Sequence, residues 1–339
     1  MPVGTGHLAD YPNQIPKYWE TSLFAEAEKM TFWNRFEGAE GSGAAIVRKD
    51  DLTKKPGDTI YFDAVLALTG VGDTSTTQLT EGNEDKLVLR QRSFTVGPLK
   101  KAVRWDWLVE QEVTHDHRAI ARTQLAKWLA GRLDDRLFNE VTGGGTVVPT
   151  AHKFVCSADH TTRATMDTDD FLTLDYITKM KAQAQNLLLE PMRLDDGVEV
   201  FGLVIHPYTE MKLKLQDTYK QAMQYAEVRG KENPLFKGAS AIWDGVVIYT
   251  SQRVPRDATT PFVADNIFFG QQLAARGYGM YPTWVERDFS YGEESGIATR
   301  LLVGEKLITF DLNATETTGD ATDDFMLGGL VVYSTAPTS

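Results

Sequence analysis

The sequence predicts an α+β protein: an extended two-stranded ribbon and one long helix attached to a lobe of interleaved strands and helices. Three observations predict it. The runs 59–68 (TIYFDAVLAL) and 86–96 (KLVLRQRSFTV) read as strands on either side of a polar, glycine-broken stretch at 69–85. Apolar residues at helical spacing mark 106–141 as one long helix. Between 171 and 282, helical and strand patterns alternate. Two-stranded ribbons are marginal in water and need a sheet or a partner surface. So wide and hydrophilic a hairpin is expected to leave the body and find its burial only on a neighbouring copy, which points to assembly rather than catalysis.

Taken in order, the elements are these. After an irregular start with Pro2, Pro12 and Pro16, a first helix is expected over 18–36, where Trp19, Leu23, Ala27, Met30 and Trp33 make one stripe. Gly38, Gly41 and Gly43 end it, and a short strand at 45–48 leads through Pro56-Gly57 into the ribbon. In the long helix, Leu125, Trp128, Leu129, Leu137 and Val141 lie on the apolar side, and a continuous version would span about 50 Å. His115-Asp116-His117 weakens its first third, predicting a kink or a two-part helix, and Gly143-Gly144-Gly145 stops it. A loop fills 146–170. Then come helices at 174–188 and 209–227, strands at 198–205, 246–250 and 266–269, and a short helix at 271–275. Strands at 284–289, 297–303, 307–312 and 325–333 close the chain.

A chain of 339 residues can bury a good core and make two lobes or one elaborate domain. With 42% hydrophobic and 24% charged residues it has an ordinary globular composition, and no apolar run is long enough for a membrane span. The N-terminal stretch lacks the pattern of a secretory signal, and the single cysteine, Cys156, rules out an internal disulfide framework. A formal charge of −12 argues against coating nucleic acid with a basic surface, though not against enclosing it. The charge is unevenly placed. From Lys86 to Arg104 there are six basic residues and no acid, whereas the preceding loop carries Asp73, Glu81, Glu84 and Asp85, and no Lys or Arg follows Lys306. Solvated faces are the plain reading of such runs; charge matching between copies is the sharper one. It nominates Asp73, Glu81, Glu84, Arg90, Arg92, Lys100 and Lys101 as inter-subunit contacts.

Chemistry finds little support. His115, Asp116 and His117, with His152, Cys156 and His160, are the one group with metal-ligand character. His115 and His117 diverge on a helix, and the downstream spacing fits no common zinc site, so these read as exposed polar residues. No phosphate loop follows the glycines at 4–6 or 143–145, and no nucleophile elbow is present. The acid pairs, Asp134-Asp135 and Glu293-Glu294 among them, read as solvated. The sequence therefore predicts no enzyme, no cofactor and no metal.

Several segments resemble, in order, those of tailed-phage major capsid proteins of the phage capsid-like group. They are Lys55-Pro56-Gly57-Asp58-Thr59-Ile60, then Leu79-Thr80-Glu81-Gly82-Asn83-Glu84-Asp85, then Leu125-Ala126-Lys127-Trp128-Leu129. Asn233-Pro234-Leu235-Phe236-Lys237-Gly238 with Trp243-Asp244-Gly245, and Phe269-Gly270-Gln271-Gln272 through Trp284 and Asp288, complete the series. The resemblance implies the Hong Kong ninety-seven type of shell fold: an N-terminal arm (1–48), an extended loop hairpin with its base (49–104), and a peripheral domain with a spine helix (105–170). An axial domain (171–282) and returning peripheral strands with the C-terminal segment (283–339) complete the plan. It implies a virion shell protein, assembled in the host bacterial cytoplasm into hexamers and pentamers around double-stranded DNA that it does not read. Its partner is itself. Scaffolding, if needed, would be a separate protein, beside portal and decoration proteins; no membrane is involved. An encapsulin-type compartment sharing the fold and a metal-dependent hydrolase on His115, Asp116 and His117 are the competing readings.

Overall fold

The computed structural model describes residues 27, 30–50, 57–65, 89–112, 116–193, 199–221, 241–311 and 324–337. Most of the first expected helix, the ribbon tip at 69–85 and the segment 233–238 lie outside these. Ala27 and Met30 are helical, and a 3-10 turn, Trp33–Phe36, brings the chain to β1 (Glu37–Gly38) and β2 (Ile46–Lys49). The ribbon follows as β3 (Thr59–Val65) and β4 (Leu89–Thr95), then β5 (Gly97–Asp106). Two helices replace the single long one: α1 (Trp107–Glu112) and α2 (His117–Val141). Asp116 explains the split. Its backbone is extended and its carboxylate accepts from the N–H of Ala119 at 3.1 Å, so it caps a new helix instead of continuing the old one. At 25 residues α2 is about 37 Å long, shorter than the uninterrupted version.

Beyond α2 come β6 (Lys153–Val155), α3 (Leu174–Asn186), β7 (Met192–Arg193), β8 (Glu199–Ile205) and α4 (Pro207–Leu215). Next are β9 (Ala241–Trp243), β10 (Val246–Thr250), β11 (Val263–Phe269), β12 (Ala274–Phe289) and β13 (Glu294–Leu307). The chain closes with β14 (Thr309–Asp311), β15 (Asp324–Met326) and β16 (Gly329–Thr335). No helix among the described residues is long and apolar enough to cross a membrane.

Two sheets organise these elements. One has the order β6-β16-β11-β8-β10-β9, with β7 added on β8. Its strands are apolar nearly throughout because both faces are covered. Along β8, Phe201, Leu203 and Ile205 pack with Ile177, Met180 and Leu213 of α3 and α4. Val200 and Val204 point the other way, into a core with Trp33, Phe36 and the end of α2 at Leu137, Phe138 and Val141. The other sheet has the order β1-β2-β12-β13-β5, and α2 lies on one of its faces through Leu125, Leu129 and Leu133 against Trp284, Ile297 and Leu301.

The junction between the sheets is where the sequence reading errs most. The helix expected at 271–275 is a turn followed by a strand. The N–H groups of Gln271, Gln272 and Leu273 donate to the carbonyls of Glu190, Ala44 and Ala45, so none is left for a helical ladder. A Cβ at Gly270 would stand 2.1 Å from the Glu190 carbonyl oxygen, which leaves that position to glycine. The expected final strand is likewise divided, and β16 joins the covered sheet between β6 and β11. The segment 283–339 is thus shared between both sheets rather than returning wholly to the one on α2.

Charged groups lock this junction. Arg276 of β12, 1% exposed, is paired with Glu37 and with Glu305 at 2.8 Å. Burial pushes the Glu305 carboxyl up, and Arg276 opposes that shift. Asp134 of α2 is buried, contrary to the solvated role expected of acid pairs, and accepts from the backbone N–H of Phe32 at 2.8 Å. Burial raises its carboxyl as well. Arg253, from the loop after β10, donates to the Gly131 carbonyl at 2.9 Å and so ties the covered sheet to α2.

Candidate assembly interface

The ribbon alternates strictly. Cross-strand pairs Ile60–Phe94 and Phe62–Arg92 fall on one face, and Tyr61–Ser93 and Asp63–Gln91 on the other. Ile60, Phe62 and Phe94 are buried against Val47, Ala275, Ile308 and Phe310 of the same chain. The seat is made by two glycines facing each other across β12 and β13, Gly277 and Gly304. A Cβ on Gly277 would stand 2.1 Å from Ile60 Cδ1, and one on Gly304 would stand 2.6 Å from the Thr95 carbonyl oxygen. This corrects the expectation that the ribbon finds burial only on another copy: its base is packed on its own body. At about 1.5–3 kcal/mol per large apolar side chain, that burial is enough to set the ribbon's direction of departure. The opposite face stays in water, with Tyr61 54% exposed and Asp63 joined to Gln91 at 2.8 Å.

The nominated contact residues do not form one surface. Asp73, Glu81 and Glu84 lie outside the described residues. Arg90 and Arg92 share the ribbon face of Phe62 and are half-buried. Lys100 and Lys101 are neighbours on β5 and therefore point to opposite sides of the sheet. Lys101 turns toward α2, its Nζ 6.0 Å from the Trp128 ring centroid. Lys100 turns to the uncovered side.

That uncovered side holds residues the sequence reading missed. Lys100 stands beside Arg300, which stands beside Thr283; four residues along, Arg104 and Arg287 flank Gly296. Because Gly296 has no side chain, the Phe289 ring lies over it, and a Cβ there would stand 2.9 Å from Phe289 Cε2. The Arg104 and Arg287 guanidinium carbons sit 4.4 and 5.5 Å from the centroid of that ring, and Arg104 is also paired with Glu294. A basic face with one aromatic post results. Lys100 and Arg104 stood in the acid-free run, but Arg287 and Arg300 are distant in sequence, and their companionship needs the β5–β13–β12 register.

The candidate metal ligands are likewise dispersed. His115 lies outside the described residues, Asp116 is a helix cap, and His117 opens α2 beside Trp105. His152 is buried, not exposed as expected: its Nδ1 meets the Gly329 carbonyl at 2.9 Å and its Nε2 accepts from the Met326 N–H at 3.3 Å. Both contacts suit the neutral imidazole, and burial holds its pKa below the ordinary value. Cys156 is fully buried too, which pushes its thiol up. His160 bonds Asp170 at 2.9 Å and is near Asp167, a cluster of three that pins the loop before α3.

A family described as phage capsid protein matches residues 12–337. The chain belongs to that family. This phage capsid protein is 24% identical over 347 residues to the major capsid protein of Pseudomonas phage KPP25, covering 88% of this chain and 90% of that one. Its fold is similar to the capsid of Ralstonia phage GP4, with a TM-score of 0.74 and 20% identity over 89% of this chain and 90% of that chain. It is similar also to the Cyanophage Pam1 capsid, with a TM-score of 0.74 and 18% identity over 90% of this chain and 92% of that chain. The fold is the Hong Kong ninety-seven type expected from the sequence, and its place is the virion capsid, an oligomeric shell. The family is structural rather than enzymatic.

Proposed function

We propose that this capsid protein is the major shell subunit of a tailed phage, forming hexamers and pentamers of an icosahedral shell around double-stranded DNA, within the host bacterial cytoplasm. The observation that carries the reading is the pairing of a seated, outgoing ribbon with an uncovered basic sheet face. In this reading the ribbon of one subunit crosses the basic face of the next, and its acidic tip (Asp73, Glu81, Glu84) meets Lys100, Arg104, Arg287 and Arg300. Such a contact uses two different surfaces, so it propagates around a ring and closes when the rotation closes. The covered sheet with α3 and α4 is then the axial lobe at the ring centre, and the sheet on α2 is the peripheral lobe. Arg90, one same-face step past the seated Phe62–Arg92 pair on the ribbon's inner face, joins the contact there, with Arg92 beside it at the edge of the seat. The genome is enclosed without sequence-specific contact.

Negative-stain electron microscopy of the expressed protein tests this directly. Rings and closed shells are expected. A monodisperse monomer that stays single at high concentration would overturn the reading. Protein cargo held reproducibly inside the particles, in place of nucleic acid, would favour the compartment alternative.

A further inference from the structure

The loop between β6 and α3 gathers side chains that neither the ribbon nor the basic face employs. His160 has a carboxylate near each of its ring nitrogens: Asp170 Oδ2 is 2.9 Å from Nδ1, and Asp167 Oδ2 is 3.9 Å from Nε2. The two contacts differ in kind. Against the upward pull of burial, hydrogen bonds from Ser157, the Asp167 N–H and His160 hold the Asp170 carboxyl below its ordinary value. Asp170 is therefore the acceptor, and Nδ1 carries the proton. In the neutral imidazole this leaves the lone pair on Nε2. The second contact, at 3.9 Å, is too long for a hydrogen bond. It suits an ion. Two ligands each about 2.1 Å from one tetrahedral cation stand about 3.4 Å apart. The Asp167 side chain is 61% exposed, so nothing packed opposes its closing the difference. The imidazole itself is set in place, because Ser157 Oγ accepts from the backbone N–H groups of Asp159 and His160 at 3.2 and 3.0 Å.

We propose that His160 Nε2 and the Asp167 carboxylate bind one divalent transition-metal ion of the zinc class, with Asp170 as the positioning residue behind the imidazole and water completing the shell. The donors decide the class of ion. Imidazole nitrogen beside carboxylate oxygen suits zinc, cobalt or nickel, whereas calcium and magnesium take oxygen alone. A metal-bound histidine ordinarily donates its other N–H to a carboxylate, and that is the arrangement of His160 and Asp170. The surrounding field also favours a cation. Asp170 lines a cleft walled by Asp159, Asp169, Asp175 and Asp217, and Lys220 offsets one of these, Asp217, at 3.4 Å. The ion would have structural work in this loop. Thr335, in the last strand, donates its N–H to the Asp170 carbonyl at 2.9 Å and its hydroxyl to the Thr168 carbonyl at 3.3 Å. Arg163, between the two ligands in sequence, is paired with Asp257 and Asp265 at 2.9 and 2.8 Å. Joining 160 to 167 through an ion therefore fastens the loop, and with it β16 and β11, in one piece. The site lies within a single subunit and does not depend on the shell-subunit reading.

Calorimetric titration of the chelator-treated full chain with Zn²⁺ tests the assignment, beside thermal melting with and without Zn²⁺. One ion per chain and a higher melting temperature with the metal are expected. His160→Gln and Asp167→Asn should each abolish that binding. Asp167 is exposed, so its substitution touches no core, and with chelator present the Asn variant should melt as the original does. It decides the matter alone if the His160 variant does not fold. Asp170→Asn should weaken binding about 10–100-fold, as for a carboxylate behind a ligating histidine. It should also shift the visible absorption of bound Co²⁺, which loosening of the loop alone would not do. His117→Gln is the control for the other histidine group and should bind Zn²⁺ as the original does. Undiminished binding by Asp167→Asn, or loss of binding on His117→Gln, would overturn the proposal. So would a chain that takes up no Zn²⁺, in which His160 and the two carboxylates form an ion pair and nothing more.

Discussion

The two sheets of this protein are finished to different degrees. The seven-stranded sheet has α3 and α4 on one face and the aromatic segment Trp33–Phe36 with the end of α2 on the other. The five-stranded sheet has α2 on one face, while Lys100, Arg104, Arg287 and Arg300 stand in water on its other. The first needs no neighbour to satisfy it. The second presents charge and two glycines, and only the base of the ribbon covers part of it. On the proposed function, stability of the single chain concentrates in one sheet and contact with other chains falls to the other. Substitutions should separate the two properties.

The largest expected effect on stability is in the covered sheet. Phe268 is fully buried, its ring 5.1 Å from that of Phe201. Phe268→Ala should cost about 3–5 kcal/mol in urea unfolding. A loss under about 1 kcal/mol would mean that this sheet is not the stabilising half. Next is Gly277→Val, which drives a side chain into Ile60 and Phe94. It should cost about 1–3 kcal/mol, increase protease cleavage between 57 and 95, and abolish shells. Unchanged cleavage would show that the glycine seat does not hold the ribbon.

A smaller effect depends on pH. His152 is neutral and doubly bonded in the fold, with its pKa depressed by burial. The unfolded chain takes up a proton at this residue near its ordinary pKa, about 6.5, before the folded chain does. Stability should thus fall as pH drops from about 7.5 through 6.5. His152→Gln should be less stable at neutral pH but show a flatter decline, measured by melting temperature from pH 7.5 to 5.5. Equal slopes in the two proteins would remove His152 as a source. The smallest stability change belongs to the open face. Lys100→Glu with Arg300→Glu should leave unfolding within about 0.5 kcal/mol of the original, yet suppress ring formation and reverse its salt dependence. Normal rings would detach the basic face from assembly.

Local chemistry made much of this legible. The ribbon strands, the glycine stop after α2, and the apolar runs of β8, β10 and β11 follow from periodicity and turn residues within a few positions of each other. The failures share one cause. The helix expected at 271–275 lost its backbone donors to Glu190, Ala44 and Ala45, which are remote in the chain. Asp134 looked like half of a solvated acid pair, yet it holds the N–H groups of Phe32 and Trp33 about a hundred residues away. Gly277 and Gly304 looked like punctuation, and they are the floor on which Ile60 and Phe94 rest.

The sequence by itself determined that the chain has a two-stranded ribbon, a long helix and an α/β lobe, because hydrophobic period and turn residues act over a few positions. It also set the uneven placement of charge along the chain. Only the tertiary structure decided which residues share a surface. Strand register places Arg300 beside Lys100 and turns Lys101 to the opposite side. Side chains alternate along a strand, so neighbours in sequence part company and distant residues meet.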